Sequence, residues 1–342
     1  MIVTIAEQSD IEAGVVQKGV STAEFTKTAG QRVFSHIPSR CDIGSSVECF
    51  SQTDNSLRRI DVAVVSKILS KRPATGHKGD FGRLLLTVGS GRYRGAAVLA
   101  ALGAYYTGAG VVTVASTEKV LAAVAAHLPE AVLFDTELFE SEYAGQLARS
   151  DACLIGCGLT ESKASADIFK RTVSLAECPL VIDADGLNLL SKNPLVLEHR
   201  KGGTILTPHI GEFSRMTALS TEEILSNRIK YAKEYAMSKN VTLILKSENT
   251  VAALPDGRIY VNTAGNSGLA KAGSGDLLSG VITALLGMGK TAEDAALAGV
   301  YLHSLAADIA AKHRDTHSLT AGFIAGFISD AYRYIFSKTP EK

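Results

Sequence analysis

The chain has 342 residues, of which 46% are hydrophobic and 20% charged, a balance typical of a globular protein with a sizeable core. Lys plus Arg and Asp plus Glu both number 35, so the formal net charge is zero and no basic field favours nucleic acid or an anionic membrane. The sequence lacks an apolar stretch long enough to span a bilayer and a secretory signal at its start, so we expect a cytoplasmic protein without membrane or nucleic-acid partners.

The beginning of the chain differs from the rest, because it is polar and shows no regular alternation of strands and helices. Residues 2–35 are read as one or two helices, and residues 60–70 as a short amphipathic helix. The composition changes at Pro73. We therefore predict an N-terminal extension over residues 1–72 and one catalytic domain over residues 73–338.

Strands and helices alternate from Arg83 onward. The strand-like segments are RLLLTVG, VVTVAS, ACLIGCG, PLVIDADG, TILTPH, VTLILK, TVAALP and RIYVN. The helical segments are GAAVLAALGAYYTGAG, LAAVAAHL and residues 221–238, 275–286, 292–312 and 318–336. This alternation predicts an α/β fold with a mostly parallel central sheet and helices on both faces. Ligand sites of such sheets lie at the carboxyl ends of the strands, where we find Gly89, Gly156, Asp183, Thr207 and Lys246.

A glycine-rich turn opens the first of the three C-terminal helices. Gly273, Ser274 and Gly275 precede Asp276 there. The glycines let backbone N–H groups converge, and the start of a helix attracts an anion. A carboxylate beside a bound phosphate can take the proton of an attacking hydroxyl, although a helix-capping aspartate is the alternative. No Gly-Lys-Ser/Thr follows, so this is not a Walker A loop, and we predict a different kind of phosphoryl-transfer site.

Carboxylates follow a buried strand in the segment PLVIDADG. Asp183 and Asp185 stand there with Asn188 close behind, and Glu212 follows the next strand. Carboxylates at strand ends suit Mg²⁺ that keeps several of its waters. Turn and helix-cap chemistry is the alternative for all four residues. We predict Asp183 and Glu212 as magnesium ligands.

The five cysteines show no Cys-x-x-Cys pair and no neighbouring pair of histidines, so a zinc site or a disulfide framework is not expected. Reduced thiols are the better interpretation. Cys157 lies between two glycines after a strand, in a segment without a base, and we interpret it as a small buried residue.

The Gly-x-Gly-Asp turn late in an α/β chain resembles the anion hole and catalytic aspartate of ribokinase-like kinases. With IGCGL, VIDADGLNLL, ILTPHIGEFSRM, LKSENTVAA and AGNSGLAKAGSGD, the chain is similar to the ADP- or ATP-dependent (S)-NAD(P)H-hydrate dehydratase family over roughly residues 76–335. The resemblance implies a ribokinase-like fold and a hydro-lyase of metabolite repair. Such enzymes phosphorylate the ring hydroxyl of hydrated NADH or NADPH with ADP or ATP and magnesium, and then eliminate phosphate.

The resemblance also implies roles for particular residues. Asp276 is the catalytic base, and Gly273, Ser274 and Gly275 form the anion hole. The adenine nucleotide is bound by Lys246, Ser247, Glu248, Asn249, Thr250 and Gly275. The hydrated dinucleotide is bound by Ala96 or Ala97, Gly158, His209 and Asp276. The sequence does not separate Ala96 from Ala97 or ADP from ATP, and it permits a homo-oligomer, which we expect.

Two other functions fit the same turn. A ribokinase-like kinase of a small alcohol or vitamin precursor would use the same base and anion hole, and a non-catalytic relative would only bind nucleotide. Residues 3–33 faintly resemble the opening helices of the epimerase domain that is fused to many relatives. Too few residues separate Gly30 from Pro73 for such a domain, so we predict a remnant or a packing arm without epimerase activity.

Overall fold

The computed structural model describes residues 57–138, 140–198 and 200–338. The helices predicted within residues 2–35 and the epimerase-like segment lie outside the described residues. Contacts between residues group the chain from Arg58 onward into one compact unit. The division at Pro73 stays a prediction, although residues between Arg58 and Pro73 belong to the larger unit.

Ten strands form one sheet in the described part of the chain. They are β1 Leu57–Ile60, β2 Arg83–Thr87, β3 Val111–Ser116, β4 Val132–Asp135, β5 Ala152–Ile155, β6 Leu180–Ile182, β7 Thr204–Leu206, β8 Thr242–Leu245, β9 Thr250–Ala253 and β10 Ile259–Asn262. Their order across the sheet is β1-β10-β9-β8-β7-β6-β5-β2-β3-β4. The strands from β2 to β8 pair in parallel, and β9 runs antiparallel to β8 and β10. The predicted mostly parallel sheet is confirmed.

Helices flank this sheet. They are α1 Val62–Ile68, α2 Arg94–Thr107, α3 Glu118–His127, α4 Tyr143–Ala148, α5 Lys163–Leu175, α6 Asp185–Lys192, α7 Ile210–Thr217, α8 Thr221–Ser226, α9 Arg228–Lys239, α10 Ser274–Gly287, α11 Ala292–Ala310, α12 Ala321–Ala325 and α13 Ile328–Ser337. Short 3₁₀ turns cover Lys78–Phe81, Glu140–Glu142, Pro194–Leu197, Ser267–Leu269 and Thr316–Ser318. No helix among the described residues has the length and apolar character needed to cross a membrane.

Two helices that were predicted as continuous are each broken once. The segment 221–238 divides at Asn227, whose non-helical backbone (φ −153°, ψ 60°) ends α8 and whose side chain caps α9 by accepting from the Lys230 N–H. The segment 318–336 divides at Gly326 and Phe327, between α12 and α13. In both places the apolar periodicity continues across a one- or two-residue change of direction, so the pattern alone does not reveal the break.

Helices α2 and α10 pack with their backbones in close contact. A Cβ at Gly103 would lie 2.3 Å from the Leu277 carbonyl oxygen, and one at Gly280 would lie 2.0 Å from that of Ala100. Only glycine allows this approach, which removes the freedom of α10 to shift along α2. The close packing therefore sets the position of the N-terminus of α10.

Candidate active site

The carboxyl ends of β6 and β8 meet the N-terminus of α10. Lys246 Nζ, just after β8, lies 2.8 Å from Oδ1 of Asp183, just after β6. A Cβ added at Gly275, in the first turn of α10, would lie 3.2 Å from Lys246 Nζ. Three segments that are distant in sequence thus place an ammonium group, a carboxylate and the start of a helix side by side.

Asp183 is held on both of its oxygens. Oδ1 accepts from Lys246 Nζ and from the Ala184 N–H, each at 2.8 Å. Oδ2 accepts from the Ser279 hydroxyl at 2.7 Å and from the Cys157 thiol at 3.7 Å. The side chain is only 1% exposed. Burial alone would raise the pKa of Asp183, but Lys246 and the hydrogen bonds outweigh it and lower the pKa below the usual range.

This environment does not fit the predicted role of Asp183 as a magnesium ligand. Its oxygens already accept N–H, O–H and S–H donors, and a lysine ammonium neutralises its charge, so a cation would meet Lys246 first. The described residues contain no group of three or more His, Cys, Asp or Glu side chains that could hold a metal ion. Asp183 as a magnesium ligand stays a prediction, which its pairing with Lys246 does not favour.

His209 and Glu212 form a reciprocal cap at the start of α7. The Glu212 N–H donates to His209 Nδ1 at 3.1 Å, and the His209 N–H donates to Glu212 Oε2 at 2.8 Å. Glu212 is buried, and burial raises its pKa. Burial and then the charge of Lys246 lower the pKa of His209, which keeps the imidazole neutral. The helix-capping alternative for His209 is thus real, and the ring still lines the cavity described below.

Asp276 lies in the first turn of α10, which begins at Ser274 after Gly273 in a left-handed conformation. Burial and then the negative charge of Asp183 raise the pKa of Asp276 to about 6. A carboxylate with this pKa is ionised at neutral pH and is still basic enough to accept a proton. Asp276 thus has the protonation properties of a general base.

The turn between β8 and β9 has a fixed shape. Buried Arg228, the first residue of α9, donates to Ser247 Oγ at 2.8 Å and to Glu248 Oε1 at 3.1 Å. Ser247 Oγ donates to the Asn249 carbonyl, and Thr250 Oγ1 donates to the Ser247 carbonyl. The predicted nucleotide-binding segment is therefore a preformed turn.

A cavity of about 890 Å³ joins these elements. Its walls come from the ends of β6, β7, β8 and β10, from the loop before α10, and from α10 and α11. The predicted residues in its lining are Asp183, His209, Glu212, Lys246, Ser247, Glu248, Thr250, Gly273, Ser274, Gly275 and Asp276. Asn249, Ala96, Ala97 and Gly158 are outside that lining.

The predicted substrate residues Ala96 and Gly158 lie together at a second place. A Cβ at Gly158 would be 2.8 Å from the Ala96 Cβ, whereas Ala97 is fully buried beneath Gly89. Gly158 directly follows Cys157, whose thiol reaches Asp183. Burial raises the pKa of that thiol well above its usual range, so Cys157 stays protonated, in line with its interpretation as a small buried residue.

Several residues of this region have no clear signal in the sequence. The Ser279 hydroxyl donates a hydrogen bond to Asp183. Ser279 follows Asp276 by three residues and so lies on the same face of α10, which is the sequence feature that could have indicated its role. His303, on α11, lies 3.4 Å from Ser274 Oγ, and burial lowers its pKa to about 4. Ala184 has φ of 51° and ψ of −121°, a strained backbone for a residue with a side chain, in the wall of the cavity.

A mostly parallel sheet whose strand ends face a glycine-opened helix with a first-turn aspartate defines the ribokinase-like class of α/β proteins. Within this class, the chain belongs to the NAD(P)H-hydrate dehydratase family, whose profile matches residues 84–328.

Individual relatives agree with this assignment. The chain is 36% identical over 299 residues to the bifunctional NAD(P)H-hydrate repair enzyme Nnr of Moorella thermoacetica, covering 84% of this chain and 56% of that protein. It is 35% identical over 257 residues to the ADP-dependent (S)-NAD(P)H-hydrate dehydratase of Bacillus subtilis, covering 75% of this chain and 91% of that enzyme. This chain thus spans about half the length of the bifunctional enzymes and most of the dehydratase.

A solved structure shows the same fold. The ADP/ATP-dependent NAD(P)H-hydrate dehydratase from Bacillus subtilis, co-crystallised with ATP and Mg²⁺, aligns with a TM-score of 0.73 and 33% identity. The alignment covers 81% of this chain and 98% of that one.

Proposed function

We propose that this protein dehydrates (6S)-hydrated NADH and NADPH at the expense of ADP or ATP and so restores the intact cofactors. The observation that carries the proposal is Asp276, a base with a pKa near 6 at the glycine-opened start of α10, next to Lys246. The named activities of the dehydratase relatives support the choice of substrate.

In this reaction Asp276 takes the proton of the hydroxyl on carbon 6 of the hydrated nicotinamide ring. The oxygen attacks the terminal phosphate of the nucleotide, and the bond from that phosphate to the nucleotide breaks. The ring nitrogen lone pair then expels the phosphate from carbon 6, which gives an iminium, and the loss of a proton from carbon 5 to the departing phosphate forms the carbon–carbon double bond of NAD(P)H. The protein acts mainly by positioning and by charge stabilisation, as is general for phosphoryl transfer.

The donor side of the proposal uses the fixed groups of the cavity. The backbone N–H groups of Gly273 and Gly275 stabilise the transferring phosphoryl group, and the ammonium of Lys246 balances its charge. The Ser274 N–H donates to the Lys271 carbonyl at 3.3 Å and is therefore not free for the phosphate in this structure. The preformed turn Ser247–Thr250 holds the nucleotide. Magnesium enters with the phosphates, which supply most of its ligands, and Glu212 can contact it through water.

The acceptor side consists of His209, Gly158 and Ala96. We choose Ala96 over Ala97 because Ala97 has no exposed surface. Glu212 orients the imidazole of His209 at both ring nitrogens, since Nδ1 accepts from the Glu212 N–H and Nε2 lies 3.4 Å from Glu212 Oε1, and the half-exposed ring contacts the dinucleotide.

The direct test is the return of nicotinamide absorbance from hydrated NADH, followed in parallel with ADP and with ATP. We expect restoration with at least one nucleotide and none without nucleotide. A protein that leaves the hydrate unchanged but phosphorylates a vitamin alcohol would be a kinase, and our assignment would be wrong.

Replacing Asp276 by Asn separates chemistry from binding. We expect turnover to fall by about 10³-fold or more, because proton abstraction is lost, while nucleotide affinity is retained. Asp185→Asn, a neighbouring acid that is not assigned to the chemistry, is the control for the loss of one negative charge. Unchanged turnover in Asp276→Asn would refute the role of Asp276 as the base.

The proposed reaction also bears on where the protein is located in the cell. NADH and NADPH are intracellular cofactors, which supports a cytoplasmic location. A homo-oligomer stays a prediction, and light scattering of the purified protein would measure its mass.

A further inference from the structure

Two free thiols face each other at the beginning of two neighbouring strands. Cys153 is the second residue of β5, and Cys178 stands two residues before the first residue of β6. Their Sγ atoms lie 3.4 Å apart, although the residues are 25 positions apart in the chain. The Cys153 N–H donates to the Pro179 carbonyl at 2.9 Å, so the pairing of β5 with β6 fixes this approach.

This thiol pair lies at the end of the sheet opposite the candidate active site. The parallel strands β5 and β6 both run from this end towards Asp183, which lines the cavity, and neither Cys153 nor Cys178 belongs to that lining. The thiol pair therefore has no part in the chemistry that we assign to Asp276.

The two sulfurs differ in exposure and in acidity. Cys153 is 1% exposed, whereas Cys178 is only partly buried. The guanidinium of Arg200 donates to the carbonyls of Ala176 and Cys178. The hydrogen bond from the Cys153 thiol and the charge of Arg200 lower the pKa of the Cys178 thiol, and the same hydrogen bond and burial raise the pKa of Cys153. Cys178 is thus the thiol that ionises and meets solvent.

We propose that Cys153 and Cys178 form an oxidation site that reacts with a small hydroperoxide and closes to a disulfide. An accessible thiolate with a second thiol beside it is the arrangement in which cysteines oxidise reversibly. The sulfurs, which lie 3.4 Å apart, need to approach to about 2.0 Å for the bond to form.

The reaction with hydrogen peroxide has two steps. The Cys178 thiolate attacks one peroxide oxygen, the O–O bond breaks, and the departing hydroxide recovers the proton that the Cys178 thiol released. The Cys153 sulfur then attacks the sulfur of the Cys178 sulfenic acid, the S–O bond breaks, and the second hydroxide leaves as water with the proton of Cys153. The two thiols together lose two electrons, and the peroxide is reduced to two waters.

The disulfide closes the chain between the two cysteines, a stretch that contains the rest of β5, Gly158 and α5. Such a cross-link lowers the conformational entropy of the unfolded chain and so stabilises the folded state. We expect the melting temperature of the oxidised protein to be higher than that of the reduced protein by about 5 °C or more.

The test is oxidation of the full-length protein with a few equivalents of hydrogen peroxide. The remaining thiols are alkylated, and tandem mass spectrometry of the digested protein identifies the linked cysteines. We expect a Cys153–Cys178 linkage that a thiol reductant reverses. Cys157, a buried thiol that donates to Asp183, is the internal control and should stay reduced. A Cys178 that stays unmodified, is linked to another cysteine or is oxidised to the sulfinic acid overturns the proposal.

Variants separate the two steps. Cys178→Ser removes the attacking sulfur and should abolish both the linkage and the rise in melting temperature. Cys153→Ala removes the second thiol, so the reaction should stop at a Cys178 sulfenic acid that dimedone captures. A rise in melting temperature in either variant, or none in the oxidised wild-type protein, would contradict stabilisation by the cross-link.

A measurement on the wild-type protein keeps the proposal open to test if the variants do not fold. Phenylarsine oxide bridges two adjacent thiols, so it should bind at Cys153 and Cys178 and prevent their oxidation. Oxidation at an unchanged rate in its presence would show that the two thiols do not act as a pair. Neither nucleotide nor hydrate is present in these experiments, so their outcome is independent of the proposed function.

Discussion

At the scale of single residues, the site depends on how three carboxylates share one ammonium group. Lys246 lies 2.8 Å from Asp183 and 4.0 Å from Glu212, while Asp276 stands next to the same pair. The pKa of Asp183 is lowered, and those of Glu212 and Asp276 are raised by burial. Asp183 therefore stays ionised, whereas Asp276 titrates with a pKa of about 6, although both are aspartates.

The raised pKa of Asp276 predicts the pH dependence of the proposed reaction. Because the base must be ionised, kcat/KM should rise with pH, with a midpoint about 6, and level off above pH 7. Initial rates between pH 5 and 8 at constant ionic strength would show this limb. Nucleotide affinity over the same range is the control, and a flat rate profile between pH 5 and 7 would contradict the assignment.

Removing Lys246, the partner of Asp183, should lower the free energy of unfolding. Lys246→Met leaves a buried carboxylate without its counter-ion, which we expect to destabilise the protein by about 3–5 kcal/mol at pH 8. The lowered pKa of Asp183 means that the pair stabilises the fold above the usual carboxyl range. The deficit of the variant should shrink towards pH 5, as Asp183 takes up a proton in the variant.

Denaturant unfolding at pH 8 and pH 5 measures this effect. The double variant with Asp183→Asn is the matched control, because it removes the charge that lost its partner and should recover part of the stability. A deficit that is the same at both pH values would show that the loss comes from packing and not from charge.

At the scale of elements, the function depends on where α10 begins. Gly103 and Gly280 have no side chain, so the backbones of α2 and α10 can pack in direct contact. The positive end of the helix dipole and Lys246 then lie side by side, an arrangement that suits an anion.

Gly275→Ala tests this element. Its added Cβ would lie 3.2 Å from Lys246 Nζ and 3.7 Å from Asp183 Oδ2, at a helical position that alanine otherwise tolerates. We expect normal folding and a fall in kcat/KM of about tenfold or more, because a methyl group stands where the phosphate meets Lys246. Gly95→Ala is the control, since its Cβ would meet no atom within 4 Å. Full activity of Gly275→Ala would place the phosphate elsewhere.

At the scale of the whole molecule, the residues before Pro73 matter to the larger unit. Ile60 of β1 and Val65 of α1, with Leu69 after that helix, are buried in the common core. Burial of each such side chain contributes about 1.5–3 kcal/mol. The stretch from Ile60 to Leu69 thus contributes side chains to the core of the larger unit.

Two shortened chains would test this. A chain that starts at Pro73 should be less stable than one that starts at Leu57 by roughly 4 kcal/mol or more, because three buried side chains are lost. Thermal unfolding of both chains gives the comparison. Equal melting temperatures would place the domain boundary at Pro73, as the composition suggests.

Periodicity predicts strongly patterned elements well and short or edge elements poorly. The buried strands RLLLT and TLIL and the helix after Asp276 are where the sequence predicts them. Strand β4 is absent from the predicted set, because it has four residues and two of them are exposed at the edge of the sheet. Its pattern is too short to distinguish a strand from a loop.

Local patterns in the chain are enough to predict the α/β fold, the glycine-opened start of α10 and the family, because glycines, apolar periods and capping residues act on their immediate neighbours. Pairing across the sheet is not readable in this way. Asp183 meets Lys246 across 63 positions and Ser279 across 96, and no local pattern indicates either contact. The approach of Cys153 to Cys178 is a consequence of the same kind, since it depends on which elements the fold brings together.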